Sequence, residues 1–160
     1  MNLSKFLLPL LAISFCCGLT ACTDDAESSD EIVLGSGSET KLSRTNCEKL
    51  FNIEVEEKLF PDDDPTTYEY KVAVTPKLSK LVVTSKVEIS VEVQCTYKLE
   101  ANTNTAYFKK QEHVISIVKG TNKGVSQNSV ITFDQPIEEY PYFTVKHTVI
   151  AASGKVTYRD

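Results

Sequence analysis

The sequence predicts an all-β domain, an antiparallel β-sandwich of immunoglobulin-like topology with about seven or eight strands. Apolar and polar residues alternate strictly over residues 86–99, shorter runs repeat that alternation, and turn-forming residues separate the runs at regular spacing. No convincing run has the helical period of hydrophobic residues. A chain of 160 residues, 41% of them hydrophobic, is sufficient for one domain of this kind. A small β-barrel is the alternative architecture.

The clearest strand covers residues 86–99. Its odd positions carry Val, Ile, Val, Val, Cys, Tyr and Leu, and its even positions carry Lys, Glu, Ser, Glu, Gln, Thr and Lys. Because successive side chains of a strand point to opposite faces, this pattern predicts one buried face and one hydrated face. At about 3.3 Å per residue the run would reach roughly 46 Å, so we expect a bend or bulge within it.

The other elements follow from the same pattern and from turn chemistry. A short turn of helix is expected at residues 46–51. Further strands are expected over residues 51–55, 68–74, 78–83, 107–118, 129–133, 143–151 and 156–158. Hairpin turns are expected at residues 102–104, 120–124 and 153–154. The proline-containing connections 60–65 and 136–141 are expected to cross from one sheet to the other.

The N-terminus has the features of an export signal. Lys5 precedes a mostly apolar run that is too short to span a bilayer comfortably and that ends in Leu19-Thr20-Ala21-Cys22. This ending resembles the lipobox of bacterial lipoproteins. The resemblance implies that residues 1–21 are a signal peptide and that Cys22 becomes the acylated first residue, which attaches the protein to a membrane. An ordinary secreted protein and an uncleaved anchor helix are the alternatives.

The residue after the lipobox cysteine suggests a location. Thr23 stands where an aspartate favours inner-membrane retention in enteric lipoproteins, and acidic residues just beyond the cysteine resemble the surface-export tag of some outer-membrane lipoproteins. We therefore expect an outer-membrane lipoprotein, on either face of that membrane.

The charge balance divides the chain in two. Residues 22–45 are predicted to form a flexible tether and residues 46–160 the domain. Residues 23–40 contain six acids and no base, whereas the chain from residue 41 onward is formally neutral. The apolar residues 32–34 are a possible stray edge strand in the tether. A net charge of -5 argues against a nucleic-acid partner.

Two cysteines, Cys47 and Cys95, remain after the proposed processing. In an oxidising compartment they are expected to form one disulfide, which would add roughly 4 kcal/mol of stability by the chain-entropy estimate. A catalytic thiol is the alternative for either residue.

Residues suited to catalysis or metal binding are few. We expect His147 to be a core or half-buried residue and His113 a surface residue of a strand. The acidic run Asp62-Asp63-Asp64 is interpreted as a solvated turn rather than a calcium loop, since three consecutive carboxylates diverge. The sequence therefore predicts no enzyme, no metal and no cofactor.

The loop aromatics Tyr140 and Tyr142 are the candidate partner-binding residues, with covering of the open end of the sandwich as their structural alternative. The expected function is a non-enzymatic binding or adhesion module whose partner is an envelope protein or a glycan. A structural accessory lipoprotein of an envelope assembly and a small hydrolase are the alternative functions.

Overall fold

The computed structural model describes residues 35–58 and 64–159. The lipobox, the tether up to residue 34 with its apolar island, and Asp62 and Asp63 lie outside the described residues. Within them, one α-helix, one short 3-10 helix and nine β-strands form. The elements are β1 (Glu39–Lys41), α1 (Arg44–Leu50), β2 (Phe51–Glu57), β3 (Thr67–Pro76), β4 (Leu81–Val83), β5 (Val87–Lys98), β6 (Tyr107–Ile117), β7 (Val125–Thr132), the 3-10 turn (Ile137–Glu139), β8 (Tyr142–Ser153) and β9 (Lys155–Tyr158).

Six of the strands form an antiparallel sandwich. One sheet has the order β2-β3-β7 and the other has the order β6-β5-β8. Two antiparallel sheets that enclose one core are the architecture of a β-sandwich. The predicted fold class is therefore confirmed, with nine described strands instead of seven or eight.

The alternating run forms β5, the central strand of its sheet. Its odd residues from Val87 to Tyr97 are all buried, as the pattern predicts. The irregularity lies in the neighbouring strand: the β5–β8 register shifts between Ser90 and Val91, which leaves Ile150 of β8 as the extra residue. Beyond this bulge the inward-facing residue of β8 is Ala152 instead of Ala151.

A third sheet, β1-β9-β4, closes one end of the sandwich. It begins before residue 46, so the predicted boundary between tether and domain is corrected for residues 35–45. Ser43 caps α1 by accepting a hydrogen bond from the Asn46 amide, and Leu42 is fully buried beside it. Burial of Leu42 and the pairing of β1 with β9 hold this segment in the folded body.

Three connections differ from the sequence prediction. Residues 118–124 lead from β6 in one sheet to β7 in the other, and Gly154 leads from β8 to β9 in the end sheet, so neither closes a hairpin. Conversely, β2 and β3 are neighbours in one sheet, so the connection between them does not cross. Turn residues mark where a strand ends, but the partner of the next strand depends on packing at a distance.

The core lies between the two sheets of the sandwich. It is formed by the even residues of β3, the odd residues of β5 and the last inward residues of β6, with Tyr70 and Phe51 as its largest fully buried side chains. All six sandwich strands run between two ends. The end that holds β1, β4 and β9 is called the sheet end here, and the end that holds the 98–107 and 132–142 connections is called the aromatic end.

Candidate binding surface

The outer face of the β6-β5-β8 sheet carries the most exposed aromatic side chains of the described residues. Phe108 of β6 is 58% exposed and Tyr142 of β8 is 44% exposed. The register pairs Phe108 with Thr96 and Tyr142 with Lys98, and these β5 residues alternate with its buried odd residues. Since paired residues point to the same face, both rings lie on the solvent face of this sheet.

The two rings lie on the strands either side of β5, and the β5 residues that pair with them, Thr96 and Lys98, are two positions apart. Standard strand spacing places their Cα atoms about 12 Å apart. Lys98 lies between them, with its Nζ 5.8 Å from the centre of the Tyr142 ring. The surface thus offers two rings on the strands either side of β5, with the Lys98 ammonium group between them.

Hydroxyl and amide groups fill the rows around the rings. Thr144 lies across from Thr96, whose Oγ1 accepts a hydrogen bond from Gln94 Nε2 at 3.1 Å. Lys110 of β6, which pairs with Gln94, donates a hydrogen bond to the Glu92 carboxylate at 2.9 Å. We call Phe108, Tyr142, Lys98, Thr96, Thr144 and Gln94 the aromatic face; it combines apolar rings with hydrogen-bonding groups of both kinds.

A cluster of buried aromatic rings supports this face from inside the sandwich. Tyr97 contacts Phe133, with ring centres 5.3 Å apart, and Tyr140, with ring centres 4.8 Å apart. Phe143 packs on Phe133 at 5.5 Å. Interlocked rings of this kind restrict the backbone of β5 and β8, so the exposed rings on the other face have a rigid base.

Tyr140 belongs to this buried cluster, and the prediction that it contacts a partner is corrected. Its side chain is 6% exposed because the 3-10 turn before it directs the ring toward Tyr97 and Phe133. Tyr142 begins β8 and points outward. The structure therefore does not bring the two tyrosines together on one surface, and only Tyr142 is accessible.

Sequence reasoning missed Phe108. The pattern that indicates it is the alternation of β6, in which the even residues face solvent. Phe108 is one of these even residues, as are Lys110 and Glu112. An aromatic ring in such a row is an exposed apolar group that the fold itself does not require.

The two histidines exchange their expected places. His113 is 3% exposed, and its Nε2 lies 2.7 Å from the Tyr70 hydroxyl, which donates to Gln111 Oε1 at 2.9 Å. Because that hydroxyl has one proton, His113 is the donor to Tyr70. Burial lowers the pKa of His113, so the ring stays neutral. His147 is exposed, since it lies on β8 at the edge of its sheet.

The two cysteines are free, and the predicted disulfide is not formed. Cys47 on α1 and Cys95 on β5 are both completely buried. Burial raises the pKa of each thiol to about 11. Each thiol is therefore protonated at neutral pH and acts as a small apolar core group, which argues against the alternative of a catalytic thiolate.

The remaining candidate features have ordinary local explanations. Asp64 accepts hydrogen bonds from the amide and hydroxyl of Thr66, which lower the pKa of its carboxyl and form a turn. Among residues 35–58 and 64–159, no three His, Cys, Asp or Glu side chains converge as a metal site. In the same ranges, no helix has the length and apolar character needed to cross a bilayer.

A shallow cavity of about 190 Å³ lies on the outer face of the other sheet. It is lined by Lys71, Thr75, Gly124 and Ser126, among others. Lys71 pairs with Glu56 at 2.6 Å, and the lining contains no aromatic ring. The aromatic face is therefore the stronger candidate for ligand binding.

Comparison of the chain with protein-family models, with curated proteins and with solved structures gives no match.

Proposed function

We propose that this chain is a lipid-anchored lipoprotein of a bacterial outer membrane and that its β-sandwich is a non-enzymatic glycan-binding module. Acylation at Cys22 supplies the anchor, and the aromatic face supplies the recognition surface. The observation that carries the binding role is the exposure of Phe108 and Tyr142 on one sheet face among hydroxyl and amide side chains.

The chemistry of the aromatic face fits a sugar chain. The flat faces of Phe108 and Tyr142 can pack on the apolar faces of sugar rings, while Thr96, Thr144 and Gln94 can exchange hydrogen bonds with sugar hydroxyls. Two rings about 12 Å apart can hold an extended chain at two points.

The size of the aromatic face favours a glycan over a protein partner. Three strands at about 4.8 Å spacing and three rows of residues define an area of roughly 10 by 14 Å. A stable protein interface needs about 800 Å² on each partner. The aromatic face is several times smaller, so a short stretch of polymer is the better fit.

Replacing both Phe108 and Tyr142 with alanine is expected to weaken glycan capture about tenfold or more, because aromatic anchors dominate small binding surfaces. The measurement is binding of the purified protein to an array of bacterial envelope glycans. Val114→Ala is the matched control, since Val114 is exposed on the same sheet face beyond the aromatic face. Circular dichroism should be unchanged in both variants.

Equal capture by the double variant and the parent would remove the aromatic face as the site. Stable cross-linking to one envelope protein in cells, with no glycan signal, would instead support the structural accessory role.

Replacing Cys22 with alanine is expected to abolish incorporation of radiolabelled palmitate and to release the protein from membranes washed with high salt and carbonate, because two or three acyl chains would otherwise hold it. The matched control is Cys17→Ala, which keeps the lipobox cysteine. Palmitate incorporation that persists in the Cys22 variant would refute the anchor.

A further inference from the structure

The two ends of the folded body carry net charges of opposite sign. The sheet end comprises residues 35–50, 77–88, 118–124 and 153–159, which the strand order brings together from distant parts of the sequence. We call these residues the basic pole. They contain ten bases, namely Lys41, Arg44, Lys49, Lys77, Lys80, Lys86, Lys119, Lys123, Lys155 and Arg159, against the three acids Glu39, Glu48 and Glu88. The formal net charge of the pole is +7.

The aromatic end has the opposite charge. Its described connections contain Lys58 and Lys98 and six acids, which are Glu57, Asp64, Glu100, Asp134, Glu138 and Glu139. The formal neutrality of the chain beyond residue 40 therefore conceals two ends of opposite net charge. A charge distribution of this kind orients a protein in the field of a charged surface.

Contacts between loops bring the bases of the pole close together. Asn122 donates to the Ser79 carbonyl at 3.0 Å, which joins the loop of Lys119 and Lys123 to the loop of Lys80. The Arg159 amide donates to the Lys80 carbonyl at 3.1 Å. All ten basic side chains are exposed, and two of the three acids pair with Lys155 and Lys86.

The chain enters the folded body at this same pole. Ser36 bridges Tyr158, and the Gly37 amide donates to the Tyr158 carbonyl at 3.1 Å. Twelve residues lie between Cys22 and Gly35. A chain segment of that length reaches at most about 45 Å. An acyl group on Cys22 would therefore keep the pole within that reach of the bilayer.

We propose that the basic pole docks on the anionic phosphate groups of the anchoring membrane, an inference whose orientation argument rests on the proposed acylation of Cys22. Each lysine or arginine near an anionic lipid surface contributes attraction that fades within about 8 Å at physiological salt. The acyl chains and the pole then act as two membrane signals. Strands of ten to twelve residues run from the pole, so docking turns Phe108 and Tyr142 away from the bilayer.

The test uses the mature chain from residue 22 onward with Cys22→Ala, so that charge is measured without acylation and without the apolar signal run. Binding is measured by co-sedimentation with phosphatidylcholine vesicles and with vesicles that also contain phosphatidylglycerol, at low and at high salt. The pole variant adds Lys80→Glu, Lys119→Glu and Lys123→Glu. The matched control adds Lys98→Glu, Lys110→Glu and Lys146→Glu, which change the net charge equally on the outer face of the β6-β5-β8 sheet.

The parent chain is expected to prefer the anionic vesicles by about tenfold or more at low salt, and high salt should remove the preference. The pole variant should lose that preference and the control variant should keep it. Equal binding to both vesicle types, or equal loss in both variants, would overturn the proposal. A further result would also overturn it: a preference for anionic vesicles that appears only when the acids of residues 23–31 are changed to amides (Asp24, Asp25, Glu27, Asp30 and Glu31). In that case the acidic segment, and not the membrane, would be what binds the basic pole.

The failures of the two proposals can be told apart. If the chain with Cys22 incorporates no palmitate, the anchor is refuted. The vesicle measurement, which does not depend on acylation, still decides whether the basic pole binds anionic lipid. Normal palmitate incorporation without a vesicle preference refutes docking of the pole alone.

Discussion

Replacing Gly154 with alanine is expected to lower the free energy of unfolding by about 2–6 kcal/mol. Gly154 has a φ of +114°, and an added Cβ would lie 2.5 Å from the Lys86 carbonyl oxygen and 2.8 Å from the Val87 Cα. Both contacts are with backbone at the start of the central strand, so neither can move without disturbing β5. Urea unfolding followed by circular dichroism measures the change.

Gly120→Ala is the control for Gly154→Ala. Gly120 also has a positive φ, of +84°, but an added Cβ there would meet nothing within 4 Å. We expect this variant to lose only about 1–2 kcal/mol, the conformational part of the effect. Equal losses in the two variants would mean that steric contact with β5 contributes nothing at Gly154.

Replacing Tyr70 is expected to have the second large effect, because its ring is 1% exposed and its hydroxyl joins the two sheets. Tyr70→Ala should cost about 3–5 kcal/mol, as for other large aromatic residues of a core. Tyr70→Phe keeps the ring and leaves His113 and Gln111 without this partner, at a cost of about 1–3 kcal/mol. Urea unfolding measures both variants.

The neighbouring Tyr68→Phe is the matched control, because Tyr68 is buried beside Tyr70 with ring centres 5.4 Å apart. No hydrogen bond of its hydroxyl joins the sheets among the described residues, so we expect a change within about 0.5 kcal/mol. If Tyr70→Phe were equally silent, the hydrogen bond to His113 would contribute nothing to stability.

The same site gives stability a pH dependence of known sign. Burial lowers the pKa of His113 below its ordinary value of 6.5, so between the two values the unfolded chain binds more protons than the folded chain. The contribution of His113 is therefore complete above pH 6.5 and is lost as the pH falls toward the lowered pKa. His113→Gln should flatten the stability profile in this window, and an unchanged slope would assign it to other groups.

Local patterns in the sequence predict the strands well, because alternation follows from strand geometry. Val87 to Tyr97 shows this, since every predicted inward residue of β5 is buried. The pattern is silent where both faces of a strand are mixed. His113 looks like a surface residue within His-Val-Ile-Ser-Ile-Val, and only its position opposite Tyr70 in the other sheet makes it a core residue.

The candidate sites depend on contacts that no local pattern contains. The basic pole gathers lysines from between residues 41 and 155 together with Arg44 and Arg159, so a sum of charges along the chain hides it. Tyr140 and Tyr142 are two residues apart, yet one is buried by Phe133 and the other is exposed. Such outcomes follow from tertiary packing, which places distant residues side by side.

The pairing of β1 with β9 sets a delay on the maturation of this protein. Glu39 of β1 and Lys155 of β9, whose side chains form an ion pair, are 116 residues apart in the sequence. A ribosome that adds 5–20 residues per second needs roughly 6 to 23 seconds to cover that interval. During that interval β1 and β4 both lack their partner strand, because each of them pairs with β9. The sheet β1-β9-β4 therefore forms only after synthesis has passed β9.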